Sequence, residues 1–127
     1  MIVKERDEAL IRSVATHPGV WRWMAGTDEY RGFVIPDGDW YSLVRDGAKV
    51  GFLAFLPEDG FRSVHIGVLP DHRGPWVEDA VKAALAEQGG KLKVRVRHHR
   101  TYALAYRVGF RRTGMDADGW IDMELMK

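Results

Sequence analysis

Residues 64–74 read Val64-His65-Ile66-Gly67-Val68-Leu69-Pro70-Asp71-His72-Arg73-Gly74, and an amphipathic run from Pro75 follows. Val64, Ile66 and Val68 alternate with His65 and Gly67, the two-residue period of a strand. Pro70 closes that strand because it has no N–H to give to a ladder. Asp71 to Gly74 form a turn, and Pro75 suits the first turn of a helix from about Trp76 to Gln88, where an N–H would go unused. Val77, Val81, Ala84 and Leu85 make that helix's apolar stripe, and Gly89-Gly90 stop it. A strand that passes through a basic, glycine-containing turn into a helix is the centre from which the rest of the fold is read.

Upstream, the strand extends over Phe61 to Leu69, and Pro57-Glu58-Asp59-Gly60 turns the chain into it. Lys49 to Leu56 is the strand before, and its apolar run from Val50 predicts burial on both faces. Asp46-Gly47 is a hairpin signal joining it to a strand from Trp40 to Arg45. Earlier still, Leu10, Ile11 and Val14 predict a short helix from Asp7 to about Thr16. Val20, Trp21, Trp23 and Met24 predict a further helical turn or two capping the core. Downstream, Lys91 to Arg97 places Leu92, Val94 and Val96 on one side and Lys91, Lys93, Arg95 and Arg97 on the other, a strand with one wet face. A last helix from about Thr101 to Val108 ends at Gly109, and the Asp116-Ala117-Asp118-Gly119 turn leads into a strand from Trp120 to Met126. This order predicts a mixed α/β fold over a single domain, 1–127.

The 127 residues, 46% apolar and 29% charged, suit one compact domain. With 19 basic and 18 acidic residues the net charge is +1, so any electrostatic function is local. The absence of cysteine removes disulfides, thiolate metal sites and cysteine nucleophiles. The longest strongly apolar stretch, Gly51 to Leu56, is far short of the roughly 20 residues of a membrane span. The N-terminus turns charged at Lys4-Glu5-Arg6-Asp7-Glu8, unlike a signal peptide. A cytoplasmic protein without a membrane partner is the expectation.

Val68-Leu69-Pro70, Arg73-Gly74 and the helix after them, with Leu104 before Gly109-Phe110 and then Arg111-Arg112-Thr113-Gly114, resemble the GNAT family of acyl-CoA N-acyltransferases. In particular they resemble the short GNAT-like proteins of tailed phages. The resemblance covers about the C-terminal half and implies a mixed, mostly antiparallel sheet flanked by helices, with acetyl-CoA as co-substrate. It implies cofactor-binding positions at Ile66, Val68, Arg73, Gly74, Pro75, Trp76 and Val77, where backbone N–H groups at a helix start would hold a pyrophosphate. The family's cradle has glycine where this chain has Trp76 and Glu78. Its tyrosine acid falls at Ala105, and its asparagine at His98. Tyr102 and Tyr106 lie nearby, on other faces of the helix. The bare alternative for Arg73-Gly74-Pro75 is a plain strand-to-helix turn.

His65 is the only ionisable side chain from Ser63 to Leu69. An imidazole suits deprotonation of an amine at neutral pH, so it is the candidate catalytic base; the bland alternative is a strand histidine bonded to a neighbour. Lys91, Lys93, Arg95, Arg97 and Arg100, with His98 and His99, form the one sustained basic stretch. It is read as a solvated face guarding a strand edge, with the phosphates of CoA or a nucleic acid as alternatives, and nucleic acid as the weaker one. Asp116, Asp118, Asp122 and Glu124 lack the spacing of a calcium loop, and no metal site is expected. Trp21, Trp23, Trp40, Trp76 and Trp120 are mainly core candidates, the first three also candidate walls of an acceptor pocket.

Two functions of different class follow. One is an acetyl-CoA-dependent N-acetyltransferase acting on an amine of a small molecule or protein. The other is a catalytically inactive GNAT-fold protein that binds a protein partner or builds a phage particle, with the host cytoplasm or the virion as its place.

Overall fold

The computed structural model describes residues 1–20 and 34–127. Its elements are β1 (Ile2–Lys4), α1 (Glu8–Ala15), β2 (Asp39–Arg45), β3 (Ala48–Pro57), β4 (Arg62–Val68), a 3-10 turn (Pro70–His72), α2 (Trp76–Leu85), β5 (Lys91–Val96), α3 (His99–Arg107), β6 (Arg111–Met115) and β7 (Ile121–Met126). The strands form one mixed sheet in the order β1-β2-β3-β4-β5-β7-β6. Every neighbouring pair is antiparallel except β4 and β5, which are parallel and joined through α2, because a parallel pair needs a crossover connection.

Local chemistry explains most boundaries. Asp7 caps α1 by accepting from the Leu10 N–H at 3.1 Å. Asp46 and Gly47 both have positive φ, 51° and 81°, the geometry of a tight hairpin turn between β2 and β3. The expected helix to Gln88 ends three residues sooner, at Leu85. The N–H groups of Glu87 and Gln88 turn back to Ala84 and Leu85, and the buried Gln88 amide donates to Tyr41 Oη at 3.1 Å. The last helix starts earlier than Thr101, at His99. His98 takes the capping role of an asparagine there, its Nδ1 accepting from the Arg100 N–H.

Two strands were not expected. β1 pairs with β2, and β6, whose Arg111-Arg112-Thr113-Gly114 reads as polar turn material, pairs with β7 across an irregular register. β7 itself begins at Ile121, one residue later than expected. The edge-guarding role of the β5 charges is also corrected, since β5 lies inside the sheet between β4 and β7. Its wet face is ion-paired instead: Lys91 and Lys93 with Glu124, and Arg95 with Asp116 and Asp122. Lys93 stands directly across from Glu124, and Arg95 across from Asp122. The cluster of Trp21, Trp23 and Met24 lies outside the described residues.

Each sheet face has its own core. Leu53, Phe55, Val64, Val68 and Leu92 pack with α2 and α3 through Val81, Ala84, Leu85 and Ala105. Phe52, Ala54 and Trp40 pack with Ile11, Val14 and Ala15 of α1. β3 is therefore buried on both sides, as its apolar run predicts. Trp40 is core rather than pocket wall: it is 4% exposed, tilted against Phe52, and donates to Pro36 O. Among the described residues no helix is long and apolar enough to cross a membrane.

Candidate functional site

β4 and β5 touch as a ladder only at Arg62↔Leu92 and Ser63↔Lys93. Beyond these the strands part, so among the described residues the β5-facing edge of β4 from Val64 to Val68 has no strand partner. A sheet held together at one end and opened at the other leaves a wedge between the strands. It is a cavity of about 780 Å³, within the range of small-molecule sites, reaching from β4 to the start of α2 and along α3. Gly67 belongs to the opened stretch, and a Cβ there would stand 2.7 Å from the Phe52 ring, so the glycine leaves room for that ring to lie over β4.

Of the positions expected to hold a cofactor, Ile66, Val68, Arg73, Gly74, Pro75 and Val77 line this cleft together with His65. Trp76 stands apart: its indole Nε1 donates to His72 O at 2.7 Å, and the side chain packs on the core cluster. Its bulk therefore does not obstruct the opening. The Gly74 and Trp76 N–H groups donate to no backbone carbonyl among the described residues, whereas Val77 and Glu78 donate to Gly74 and Pro75. The first two are the donors an anion would meet at the helix start.

The rim is basic although the chain is nearly neutral. Among the described residues, Arg73, Arg95, Arg97, Arg100 and Arg107 line the cleft against one carboxylate, Glu78. Arg73 is partly committed, donating to Val68 O at 3.0 Å and Gly19 O at 2.9 Å. Burial, and then the Arg100 cation, pull its pKa below the ordinary value, and it stays charged. Glu78 is held by Arg107 and by Lys82, and hydrogen bonding to Arg107 lowers its pKa. The carboxylate at a cradle glycine position thus comes with its own cation from α3. Among the described residues no carboxylate pairs with Arg97 or Arg100, which leaves these two free for an anion. Arg97 also lies over the Trp120 ring, 5.7 Å from its centre.

His65 stands where two openings meet. It lines the cleft, and also a groove of about 820 Å³ with Glu58, Phe61, Ser63 and Trp120. The ring is exposed by surface area, yet the protein around it withdraws water and pushes its pKa below 6.5, while the Glu58 carboxylate opposes that shift. A neutral ring near pH 7 is the form that accepts a proton.

The positions weighed for an acid behave differently. Ala105 is 7% exposed within the core and does not line the cleft. Tyr102 packs on the core, and Tyr106 is 51% exposed beneath Arg111. No tyrosine among the described residues lines the cleft. Reading the chain alone does not single out Arg107 and Trp120 as lining residues: the first is the end of a helix and the second a turn exit. A helical count from Arg100 to Arg107 would have found the first, since 100, 103, 104 and 107 share a face.

No protein-family model matches the chain, and no curated protein matches it in sequence. Solved structures do match its fold. The spermidine N-acetyltransferase of Vibrio cholerae, in complex with CoA and spermine, matches with a TM-score of 0.78 at 12% identity, over 98% of this chain and 94% of that one. The ribosomal-protein-alanine N-acetyltransferase of Brucella melitensis matches with a TM-score of 0.68 at 14% identity, over 100% and 99%. A GNAT superfamily phosphinothricin acetyltransferase of Sinorhizobium meliloti, in complex with acetyl-CoA, matches with a TM-score of 0.59 at 17% identity, over 69% of this chain and 60% of that one. The chain spans less than two thirds of the Sinorhizobium enzyme, and of the Salmonella typhimurium putative acetyltransferase, of which it covers 64%. At these identities the likeness establishes the fold, which is that of GNAT acetyltransferases.

Proposed function

We propose that the chain is an acetyl-CoA-dependent N-acetyltransferase that acts on an amine of a small molecule or protein. The observation that carries this reading is the opened β4/β5 wedge: among the described residues its β4 wall has no strand partner, the Gly74 and Trp76 N–H groups at its α2 end have no backbone acceptor, and Arg97 and Arg100 at its rim pair with no carboxylate. An extended thioester arm fits such an edge, and a pyrophosphate fits such an end. Ile66 and Val68 would flank the pantetheine. Arg73, Gly74, Pro75, the Trp76 N–H and Val77 would surround the phosphates, with Arg97 and Arg100 as further cations. His65 would take the proton of the acceptor ammonium, so that the free amine attacks the thioester carbon. Solved structures of the same fold contain acetyl-CoA or CoA, which supports the same co-substrate here.

The inactive, partner-binding reading, with a phage particle as one setting, is favoured by one observation: Ala105 is buried and no described tyrosine faces the cleft to protonate a leaving thiolate. A CoA thiolate leaves readily without that help, and we therefore prefer the enzyme.

Calorimetric titration with acetyl-CoA and with S-acetylpantetheine tests the proposal. Acetyl-CoA should bind well below millimolar and the phosphate-free analogue at least tenfold more weakly, about 1.4 kcal/mol. Turnover on an amine panel is then read by thiol release, which is free of background because the chain has no cysteine. No binding of acetyl-CoA at millimolar concentration would sink the cofactor assignment. Binding without turnover, together with stoichiometric capture of a protein partner, would favour the second reading.

A further inference from the structure

Ser63 and His65 are two residues apart on β4 and so share a sheet face. Their side chains meet, Ser63 Oγ lying 3.0 Å from His65 Nε2. Ser63 Oγ also donates to Glu58 Oε1 at 3.2 Å. Glu58 stands at the start of the turn between β3 and β4, which its own N–H closes by donating to Phe61 O at 2.9 Å. All three side chains line the groove, and of the three only His65 also lines the cleft.

Counting hydrogens orders this chain. An ionised carboxylate only accepts, so the single proton of the Ser63 hydroxyl is spent on Glu58. Ser63 Oγ can then meet the ring only as an acceptor, and Nε2 carries the hydrogen. A neutral imidazole has one N–H, so Nδ1 keeps the lone pair.

We infer that Glu58 and Ser63 are positioning residues that hold His65 as the Nε2–H tautomer, leaving Nδ1 as the nitrogen that takes the proton of the acceptor amine. The inference rests on the acetyltransferase reading for the identity of that amine. In the step itself an ammonium N–H bond breaks, its electron pair stays on the amine nitrogen, and an Nδ1–H bond forms. His65 becomes imidazolium and still donates from Nε2 to Ser63, so no bond within Ser63 or Glu58 changes. The new positive charge lies at one end of a chain whose other end is the Glu58 carboxylate.

The surrounding charges leave that role to Glu58. Lys93 and Arg95 of β5 and Glu124 and Asp122 of β7 share the groove but neutralise one another in pairs. Opposite His65 on β3 is Ala54, which has no charge. Glu8 and Arg12 of α1, the helix on the same sheet face, are exposed. On the cleft side stand the cations Arg73, Arg97, Arg100 and Arg107, with His98, His99 and the paired Glu78. Among the described residues, Glu58 is the one carboxylate of the groove without a cation partner.

Nitrogen NMR of the full chain labelled at histidine tests the inference without any turnover, with His65→Gln identifying the signal. Wild type should show the Nε2–H form. Ser63→Ala should lose that preference, and Ser63→Thr should keep it. Glu58→Gln should lower the pKa of His65 and weaken the preference, because a glutamine amide can donate to Ser63. With an amine that turns over, Ser63→Ala should lower kcat about tenfold at unchanged KM for acetyl-CoA, less than the roughly 100-fold expected for removing the base. The ionisation in the kcat/KM profile should move to lower pH in Glu58→Gln. A wild-type Nδ1–H tautomer, or a Ser63→Ala variant with unchanged tautomer and pH profile, overturns the inference. The expected tautomer pattern in a chain that binds no acetyl-CoA supports the hydrogen-bond chain and overturns the acetyltransferase reading.

Discussion

The two ends of the β4/β5 junction are built on opposite principles. At the closed end the strands pair, Leu92 is fully buried, and Arg62, Gln88, Asp39 and Tyr41 join their polar groups into one network behind the pairing. At the open end, among the described residues, the β5-facing edge of β4 has no strand partner, Val94 is only partly buried, and the arginines of α3 and the strand end face a cavity. Hydrogen bonds withheld from the fold at one end are available to a ligand only because the other end is tightly closed. The contrast teaches that one parallel junction can serve both stability and binding, provided the two are separated along its length.

The largest effect should come from breaking the closed end. Leu92→Ala should cost about 2–5 kcal/mol and lower the thermal midpoint by many degrees, since the side chain is fully buried. Val94→Ala, two strand positions on, should cost only about 1 kcal/mol and should instead weaken acetyl-CoA binding. Equal costs at the two positions would abolish the contrast.

A smaller effect sharpens the open end. Glu78→Gln removes the one carboxylate that lines the cleft among the described residues and frees Arg107, so acetyl-CoA should bind a few-fold more tightly, with little change in thermal midpoint. Weaker binding in the titration would mean that the ion pair shapes the site rather than competing with the ligand.

The smallest effect is on pH dependence. Burial holds both His65 and His98 below the ordinary 6.5, so the folded state prefers the neutral rings. That contribution is fully present above the unfolded-state value and is lost as pH falls through it toward the lower folded-state values. Thermal midpoints taken from about pH 8 to pH 5 should fall on the acid side, and His65→Gln with His98→Gln should flatten the fall. An unchanged slope would assign it to other groups.

Several features of the site are legible in the sequence alone. Alternation placed Ser63, His65 and Gly67 together on one face of β4, and Pro70 and Pro75 bracketed the turn into α2. The direction of Trp76 was not legible, because residue size says nothing about it: its indole finds His72 O and leaves the cleft. The pairing of Glu78 was hidden too, since its partner Arg107 is 29 residues away in the chain. The Ala105 position looked like a vacancy for a tyrosine, whereas it is filled core, and a phenol there would overpack it.

Periodicity, turn chemistry and composition determined by themselves the main helices and strands, a mixed sheet, and His65 as the one ionisable side chain from Ser63 to Leu69. These depend on interactions within a few residues, which local sequence records. The parting of β4 from β5, the interior place of β5, the pairing of β1 and β6, and the meeting of Glu58, Ser63 and His65 were decided by tertiary structure. Strand order and strand separation depend on contacts between distant segments, whose energies no short stretch of sequence contains.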